Sequence, residues 1–276
     1  MKVRAELDTT VVKNLGQTLR AISQDLRDEY LQPHETPWII GFSGGKDSTL
    51  LAQLVFEMLL ELAPRERRRT VHVVANDTLV ESPVLARHLD TVLERMSKAV
   101  SPLRLPVKIA KTTPSLDHTF WVNLIGRGYP SPSRVFRWCT DRMKIKPTTQ
   151  YIKDQVSVAG EAILLLGVRR TESTQRRRSV ERYENGERLN PHNSLTGCKV
   201  YKPIVELDTD DVWQTLLQSS PPWGGSHRDL VTLYRNAGGA ECPLVTDRSD
   251  APSCGSNSSR FGCWTCTVVE KDKRTS

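Results

Sequence analysis

Ile39-Ile40-Gly41-Phe42-Ser43-Gly44-Gly45-Lys46-Asp47-Ser48-Thr49-Leu50 is the stretch on which the fold turns. An apolar, β-branched approach beginning at Trp38 runs into a polar, glycine-rich turn. The chain then enters an amphipathic run, Leu50-Leu51-Ala52-Gln53-Leu54-Val55-Phe56-Glu57-Met58-Leu59-Leu60. This order reads as a strand, a phosphate-binding turn and a helix. Gly44 and Gly45 let the backbone bend tightly and approach a ligand with no Cβ in the way. The first N–H groups of a helix lack internal partners and lie at its positive end, so they favour an anion. Ser43 and Ser48 add hydroxyls and Lys46 adds a mobile positive charge, whereas a plain turn needs no such combination.

Outward from this turn, strands and helices alternate. Apolar positions at Val11, Val12, Leu15, Leu19, Ile22 and Leu26 predict a helix over 10–31. Val71–Ala75 reads as a second buried strand ending at Asn76-Asp77, Glu81–Val100 as a helix with Pro83 near its start, and Leu105–Ala110 as a third strand. Thr112–Arg137, with two glycines and two prolines late in it, reads as a long irregular loop. A helix at 145–158 and a buried strand at 162–168 follow. The alternation predicts an α/β fold with a doubly wound, mainly parallel sheet and ligands at the carboxyl ends of its strands. Three candidate features fall there: the turn at 43–48, Asp77 after the second strand and Arg169 after the fourth.

The chain has 276 residues, 38% of them hydrophobic, enough for one large α/β domain with a small appendage. Composition places a boundary near 219: residues 1–218 form the main domain, and 219–276, rich in Ser, Gly, Pro and Cys, a small cysteine-rich region. No apolar run could span a membrane, and Met1-Lys2-Val3-Arg4 lacks a secretory h-region, which predicts a cytoplasmic protein. The net charge of +7 suits polyanionic partners. Of the basic clusters, 65–69 reads as a solvated loop, and Arg169-Arg170 and Arg176-Arg177-Arg178 as candidates for phosphate contacts. Six cysteines in such a chain argue against a disulfide framework. Four of them, Cys242, Cys254, Cys263 and Cys266, lie near the end with a terminal Cys-x-x-Cys, which points to a metal or cluster site. Four thiolates accept either zinc or an iron–sulfur cluster, and spacing alone favours zinc. Cys198 reads as an ordinary, partly buried thiol.

The turn is no Walker A loop: Ile40 stands where that pattern needs glycine, and Asp47 where it needs Ser or Thr. It resembles the Ser-Gly-Gly-x-Asp-Ser signature of the PP-loop ATP pyrophosphatases, which cleave ATP between its α and β phosphates. Three further stretches resemble the branch of phosphoadenosine phosphosulfate (PAPS) reductases: Trp138-Cys139-Thr140-Asp141-Arg142-Met143-Lys144-Ile145-Lys146-Pro147, Gly167-Val168-Arg169-Arg170-Thr171-Glu172-Ser173 with Arg176, and Lys202-Pro203-Ile204 with Asp211-Val212-Trp213. Lys144 and Lys146, beside Cys139, would make that thiol a better nucleophile or ligand. Asp211-Val212-Trp213 reads as a helix start with a packed tryptophan and no catalytic part. The reducing Glu-Cys-Gly-Leu-His tail of the reductases is absent.

The ending, Glu241-Cys242-Pro243, Ser253-Cys254-Gly255 and Gly262-Cys263-Trp264-Thr265-Cys266, together with Arg137-Trp138-Cys139-Thr140-Asp141-Arg142, is similar to the DndC-type iron–sulfur proteins of bacterial DNA phosphorothioation. Chains of that family extend well past this point, whereas this sequence ends ten residues after Cys266. The resemblance implies a sulfur-transfer enzyme of DNA modification and restriction. ATP would bind across Ser43, Gly44, Gly45, Lys46, Asp47 and Ser48 with Asp77 and Arg169. Mg²⁺ would bridge its phosphates, and Asp47 would orient the loop or contact the metal. Lys46 and Arg169 would stabilise the charge on the α-phosphate and on the departing pyrophosphate. It also implies a [4Fe–4S] cluster on Cys254, Cys263 and Cys266, with Cys242 or Cys139 as fourth ligand. If free, Cys139 becomes the candidate catalytic thiol. The implied partners are DNA, a cysteine desulfurase and other phosphorothioation subunits. A sulfonucleotide reductase and a PP-loop tRNA thiolase are the alternative readings.

Overall fold

The computed structural model describes residues 9–133, 136–172, 174–183, 186–236 and 263–265. A six-stranded sheet runs through it in the order β3-β2-β1-β4-β6-β5. Its strands are β1 (Trp38–Gly41), β2 (Val71–Asn76), β3 (Val107–Thr112), β4 (Ala162–Leu165), β5 (Leu189–Pro191) and β6 (Cys198–Tyr201). All pairings are parallel except β5 with β6. The helices are α1 (Thr9–Tyr30), α2 (Lys46–Glu61), α3 (Pro83–Val100), α4 (Trp138–Thr140), α5 (Lys146–Ala159), α6 (Thr174–Tyr183), α7 (Thr209–Gln218) and α8 (Arg228–Asn236). Among the described residues no helix is long and apolar enough to cross a membrane.

The period-2 alternation of the central strands divides the core between two layers. Trp38, Ile40, Ile163, Leu165, Val71 and Val73 pack with α1, α2, α3, α7 and α8 on one face. Ile39, Val74, Leu164 and Cys198 pack with Ile152 of α5 on the other. The chain adds β2 and β3 on one side of β1, then crosses to place β4 on the other. Neighbouring connections therefore leave in opposite directions at the carboxyl ends of β1 and β4. Open α/β sheets bind ligands at such a point. The predicted parallel sheet and the four expected strands are present.

Several local expectations need correction. Residues 65–69 are a solvated loop only in part, since Arg65 and Arg68 are exposed but Arg67 and Arg69 are not. Arg67 donates to the carbonyls of Leu60, Leu62, Leu103 and Arg104 at 3.0–3.3 Å. Arg69 is buried, 3.7 Å from Glu29 and with its guanidinium carbon 5.8 Å from the Tyr30 ring centre. These arginines clamp α1 and the α3–β3 turn to the sheet. The stretch after β3 is not wholly irregular, because Leu116–His118 and Val122–Gly126 form short helical turns. Two strands and α6 have no sequence signal of the usual kind. β5 and β6 are only three and four residues long, and Pro191 is tolerated because β5 is an edge strand. In α6 the buried apolar contact comes from Val180, and Arg177 and Arg178 are exposed. Of the region from 219 onward, Trp223, Leu230, Val231 and Tyr234 join the main core.

Two core histidines give the fold a pH dependence. Burial pushes both His72 and His227 down to about 4. His72 Nδ1 lies 2.7 Å from the Tyr151 hydroxyl, and His227 Nε2 lies 2.7 Å from Gln53 Oε1. An unfolded histidine titrates near 6.5, so between the two values the unfolded chain binds more protons. Stability is then complete above pH 6.5 and falls as pH drops toward 4, by up to about 1.4 kcal/mol per pH unit for each histidine. Urea unfolding at a series of pH values should show this slope, and His72→Phe should flatten it. An unchanged slope in that variant would remove His72 from the account.

Candidate functional site

The turn between β1 and α2 is closed by its own serines. Ser43 N–H donates to Ser48 Oγ at 3.2 Å, the two hydroxyls lie 3.1 Å apart, and Ser48 Oγ donates to the Gly45 carbonyl at 3.0 Å. Gly44 has φ +74°, a left-handed conformation that L side chains rarely adopt. His88 of α3 hydrogen-bonds the Gly44 backbone, and burial holds the His88 imidazole below its ordinary value.

At the first turn of α2, three charged side chains meet. Asp47 Oδ2 is 3.2 Å from Lys46 Nζ, and Asp47 Oδ1 accepts from Arg169 Nε at 2.5 Å. Arg169, four residues past β4, is 0% exposed and Lys46 2%. Arg169 Nη1 also donates to Thr171 and Thr209, each at 3.1 Å, while its Nη2 has no hydrogen-bond partner among the described residues. Sequence reasoning offered Arg169 as a direct grip on phosphate. The structure puts it behind Asp47, so in this arrangement its charge acts on the loop through the carboxylate. Both Asp47 oxygens already face cations, which suits orientation of the loop better than metal binding.

Gly167 makes this approach feasible. A Cβ there would lie 2.8 Å from the Asp47 carbonyl oxygen, 2.9 Å from its carbon and 3.0 Å from Ser48 N. The glycine two residues before Arg169 in the Gly-Val-Arg-Arg stretch owes its place to this backbone contact. Tyr234 of α8 was missed altogether. Its hydroxyl accepts from the Lys46 backbone N–H at 3.2 Å, and its ring centre lies 5.3 Å from Lys46 Nζ. The residues are 188 apart, so no local pattern could reveal the contact.

Asp77 directly follows the neighbouring strand β2. It accepts from Leu79 N–H at 2.8 Å and lies 3.4 Å from Lys111 Nζ, and Leu79 has φ +63°. The same short segment leads to the cysteines. Cys263 forms an isolated antiparallel bridge with Glu81, Trp264 N–H donates to the Val80 carbonyl at 3.1 Å, and Thr78 Oγ1 is 3.7 Å from Cys263 Sγ. Cys139 of α4 and Cys263 both pack against the buried group of Val80, Phe120, Trp138 and Met143. Lys144 Nζ lies 3.0 Å from Glu81 Oε1. Burial opposes the Lys144 charge, but Glu81, Cys263 and Cys139 outweigh it and hold the ammonium above its ordinary value. Burial pushes the Cys263 thiol up, Glu81 adds to this, and Lys144 opposes it. Cys198 is far from ordinary exposure: burial in the α5 layer pushes it up to about 11, as suits a packed structural thiol. Cys242, Cys254 and Cys266 lie outside the described residues. Among the described residues no group of three or more His, Cys, Asp or Glu is gathered as for a metal ion.

The family model of the phosphoadenosine phosphosulfate reductase domain matches residues 37–269. Among curated proteins, MJ0066 of Methanocaldococcus jannaschii is 24% identical over 187 residues, or 68% of this chain and 32% of its own length. The chain thus spans about a third of that relative. Among solved structures, the PAPS reductase of Candida auris is 14% identical with a TM-score of 0.43, covering 79% of this chain and 88% of its own. The FMN adenylyltransferase of Candida glabrata, with FAD and pyrophosphate, is 14% identical with a TM-score of 0.49, covering 86% and 64%. The U34-tRNA thiolase NcsA of Methanococcus maripaludis, with its [4Fe-4S] cluster, is 14% identical with a TM-score of 0.42, covering 72% and 63%.

Proposed function

Since the chain belongs to the phosphoadenosine phosphosulfate reductase domain family, we propose that it is an ATP pyrophosphatase of bacterial DNA phosphorothioation, acting in the cytoplasm. The observation that carries the ATP half is the Lys46–Asp47–Arg169 group at the start of α2, beside the glycine turn and at the point where the strand order reverses. The DNA half rests on the sequence resemblance of Arg137–Arg142 and the C-terminal cysteines to the DndC type.

In this reading the phosphates of ATP lie on the N–H groups of the 43–48 loop. A non-bridging oxygen of a DNA phosphate attacks the α-phosphorus, the bond to the β-phosphate breaks, and pyrophosphate leaves. Lys46 stabilises the charge gathering there, and Arg169 holds Asp47 and so the loop in register. A sulfur nucleophile then attacks the DNA phosphorus, and AMP departs with the former phosphate oxygen. DNA phosphates meet the basic surface that includes Arg177 and Arg178, with salt-dependent affinity that carries little sequence information. Asp77 borders the nucleotide from the carboxyl end of β2.

Mg²⁺ finds no open carboxylate in this group, since Asp47 is held by two cations and Asp77 by Lys111 and a backbone N–H. For a [4Fe–4S] cluster the support from the described residues is two of the candidate thiols, Cys139 and Cys263. Both pack, half-buried, against the Val80, Phe120, Trp138 and Met143 group, with Lys144 close enough to offset thiolate charge. Cys139, packed on the same group as Cys263, is the proposed fourth ligand beside Cys254, Cys263 and Cys266, with Cys242 as the alternative. When bound, the cluster supplies a soft iron site where sulfur can be held. A cysteine desulfurase is the proposed sulfur donor, with other phosphorothioation subunits as further partners. Its persulfide is cleaved by a thiol reductant, which supplies the two electrons that release the outer sulfur as sulfide and is itself oxidised to a disulfide. Residues 219–276 would form the cluster-bearing region, seated on the core through α8 and on the loop after β2 through Cys263.

The test is anaerobic purification with iron and sulfide assay and a visible spectrum. About four irons per chain are expected, lost in Cys139→Ser, Cys254→Ser, Cys263→Ser and Cys266→Ser but kept in Cys242→Ser. One zinc and no colour would sink the sulfur-transfer half. Loss in Cys242→Ser with retention in Cys139→Ser would exchange the fourth ligand.

A further inference from the structure

Lys46 offers an anion two groups, its backbone N–H at the helix start and its ammonium, and one residue engages both. The Tyr234 hydroxyl accepts from the N–H at 3.2 Å, and the Tyr234 ring centre lies 5.3 Å from Nζ. The phenol comes down onto the turn where a side chain is missing: a Cβ on Gly45 would be 3.2 Å from its oxygen. Trp213 backs the ring edge-on at 5.0 Å and 89°. Both Tyr234 and Trp213 are buried, so the contact is built into the core.

We propose that the Tyr234 hydroxyl competes with a nucleotide phosphate oxygen for the Lys46 N–H, so that Tyr234 is a positioning residue that sets nucleotide affinity and releases Lys46 when phosphate takes its place. The inference rests on the reading of the loop as an ATP site. One N–H cannot serve two oxygens at full strength. The ring meanwhile draws the ammonium toward the protein, where Lys46 is 2% exposed. Phosphate binding therefore has to break the phenol contact, and α8 is the element that yields. That helix ends at Asn236, six residues before Cys242, which joins nucleotide occupancy to the chain leading into the cysteines. By linkage, anything that holds α8 down weakens nucleotide binding.

Tyr234→Phe removes the oxygen and keeps the ring, its packing on Trp213 and its contact with the ammonium. Affinity is read by calorimetry for pyrophosphate, for the non-cleavable α,β-methylene analogue of ATP, and for adenosine, which has no phosphate. Pyrophosphate and the analogue are expected to bind about 3- to 10-fold tighter in the variant, the range set by one net hydrogen bond. Adenosine should bind unchanged, and KM for ATP should fall with kcat retained. A variant that merely loosened the fold would bind all three more weakly. Equal or weaker pyrophosphate binding in Tyr234→Phe overturns the proposal while leaving the ATP site intact. If the unaltered protein binds neither ATP nor pyrophosphate, the reading of the loop itself fails, and this inference with it.

Discussion

Asp47→Asn is expected to cost about 3 kcal/mol of folding stability, the scale for breaking one partner out of a buried ion pair, and to abolish ATP turnover. Asp47 lies between two cations that have almost no contact with water, Arg169 at 0% exposure and Lys46 at 2%. A neutral amide presents an oxygen to one of them and an N–H₂ to the other, so at least one buried charge loses its counterpart. The double variant Asp47→Asn/Arg169→Met should lose less than the sum of the two single variants, because the second change removes the stranded charge. Urea unfolding of all four proteins measures this. Losses that simply add, or an Asp47→Asn cost below about 1 kcal/mol, would mean that the pair is no brace for the loop.

The second large effect is expected at Gly167, whose place in the chain looks inconspicuous. An alanine there brings its methyl within 2.8–3.0 Å of backbone atoms of Asp47 and Ser48, and backbone cannot swing aside as a side-chain end can. Either β4 or the loop has to move by several tenths of an ångström. A misplacement of about 1 Å near reacting groups costs on the order of 100-fold in rate, so a shift of several tenths costs on the order of 10-fold, while overpacking costs about 1–3 kcal/mol in stability. Gly167→Ala should therefore fold, bind ATP more weakly, and lose most of its kcat. Gly126→Ala is the control, since a Cβ there meets only a Val122 methyl at 4.0 Å. Steady-state kinetics with normal turnover in Gly167→Ala would show that the loop tolerates the shift and is not held by close contact with the end of β4.

The glycine-rich turn between β1 and α2 was legible in the sequence because strand, turn and helix are adjacent there and each leaves its own period or residue type. The parallel sheet was legible for the same reason, in β1, β2, β3 and β4. What escaped were elements defined by contact across the chain. Arg67 and Arg69 look like a solvated basic run, yet their guanidinium groups satisfy carbonyls and Glu29 from distant segments. β5 and β6 are too short for alternation to register, and one contains proline at a sheet edge. Residues after 219 read as a composition change, whereas Trp223, Leu230 and Tyr234 belong to the main core. At the site, Lys46, Asp47 and Arg169 were named from the sequence, and their grouping follows from the strand order. The bridging part of Asp47, the closeness demanded of Gly167 and the phenol of Tyr234 depend on distances that no spacing along the chain encodes.

The most direct measurement is the product pattern of ATP turnover. Anaerobically purified protein is incubated with Mg²⁺, ATP and, in separate arms, duplex DNA, single-stranded DNA, tRNA or adenosine phosphosulfate. The account predicts AMP and pyrophosphate in equal amounts, no ADP, stimulation by DNA alone, and no turnover in Lys46→Ala. ADP with orthophosphate, or stimulation by tRNA or the sulfonucleotide instead of DNA, would contradict it.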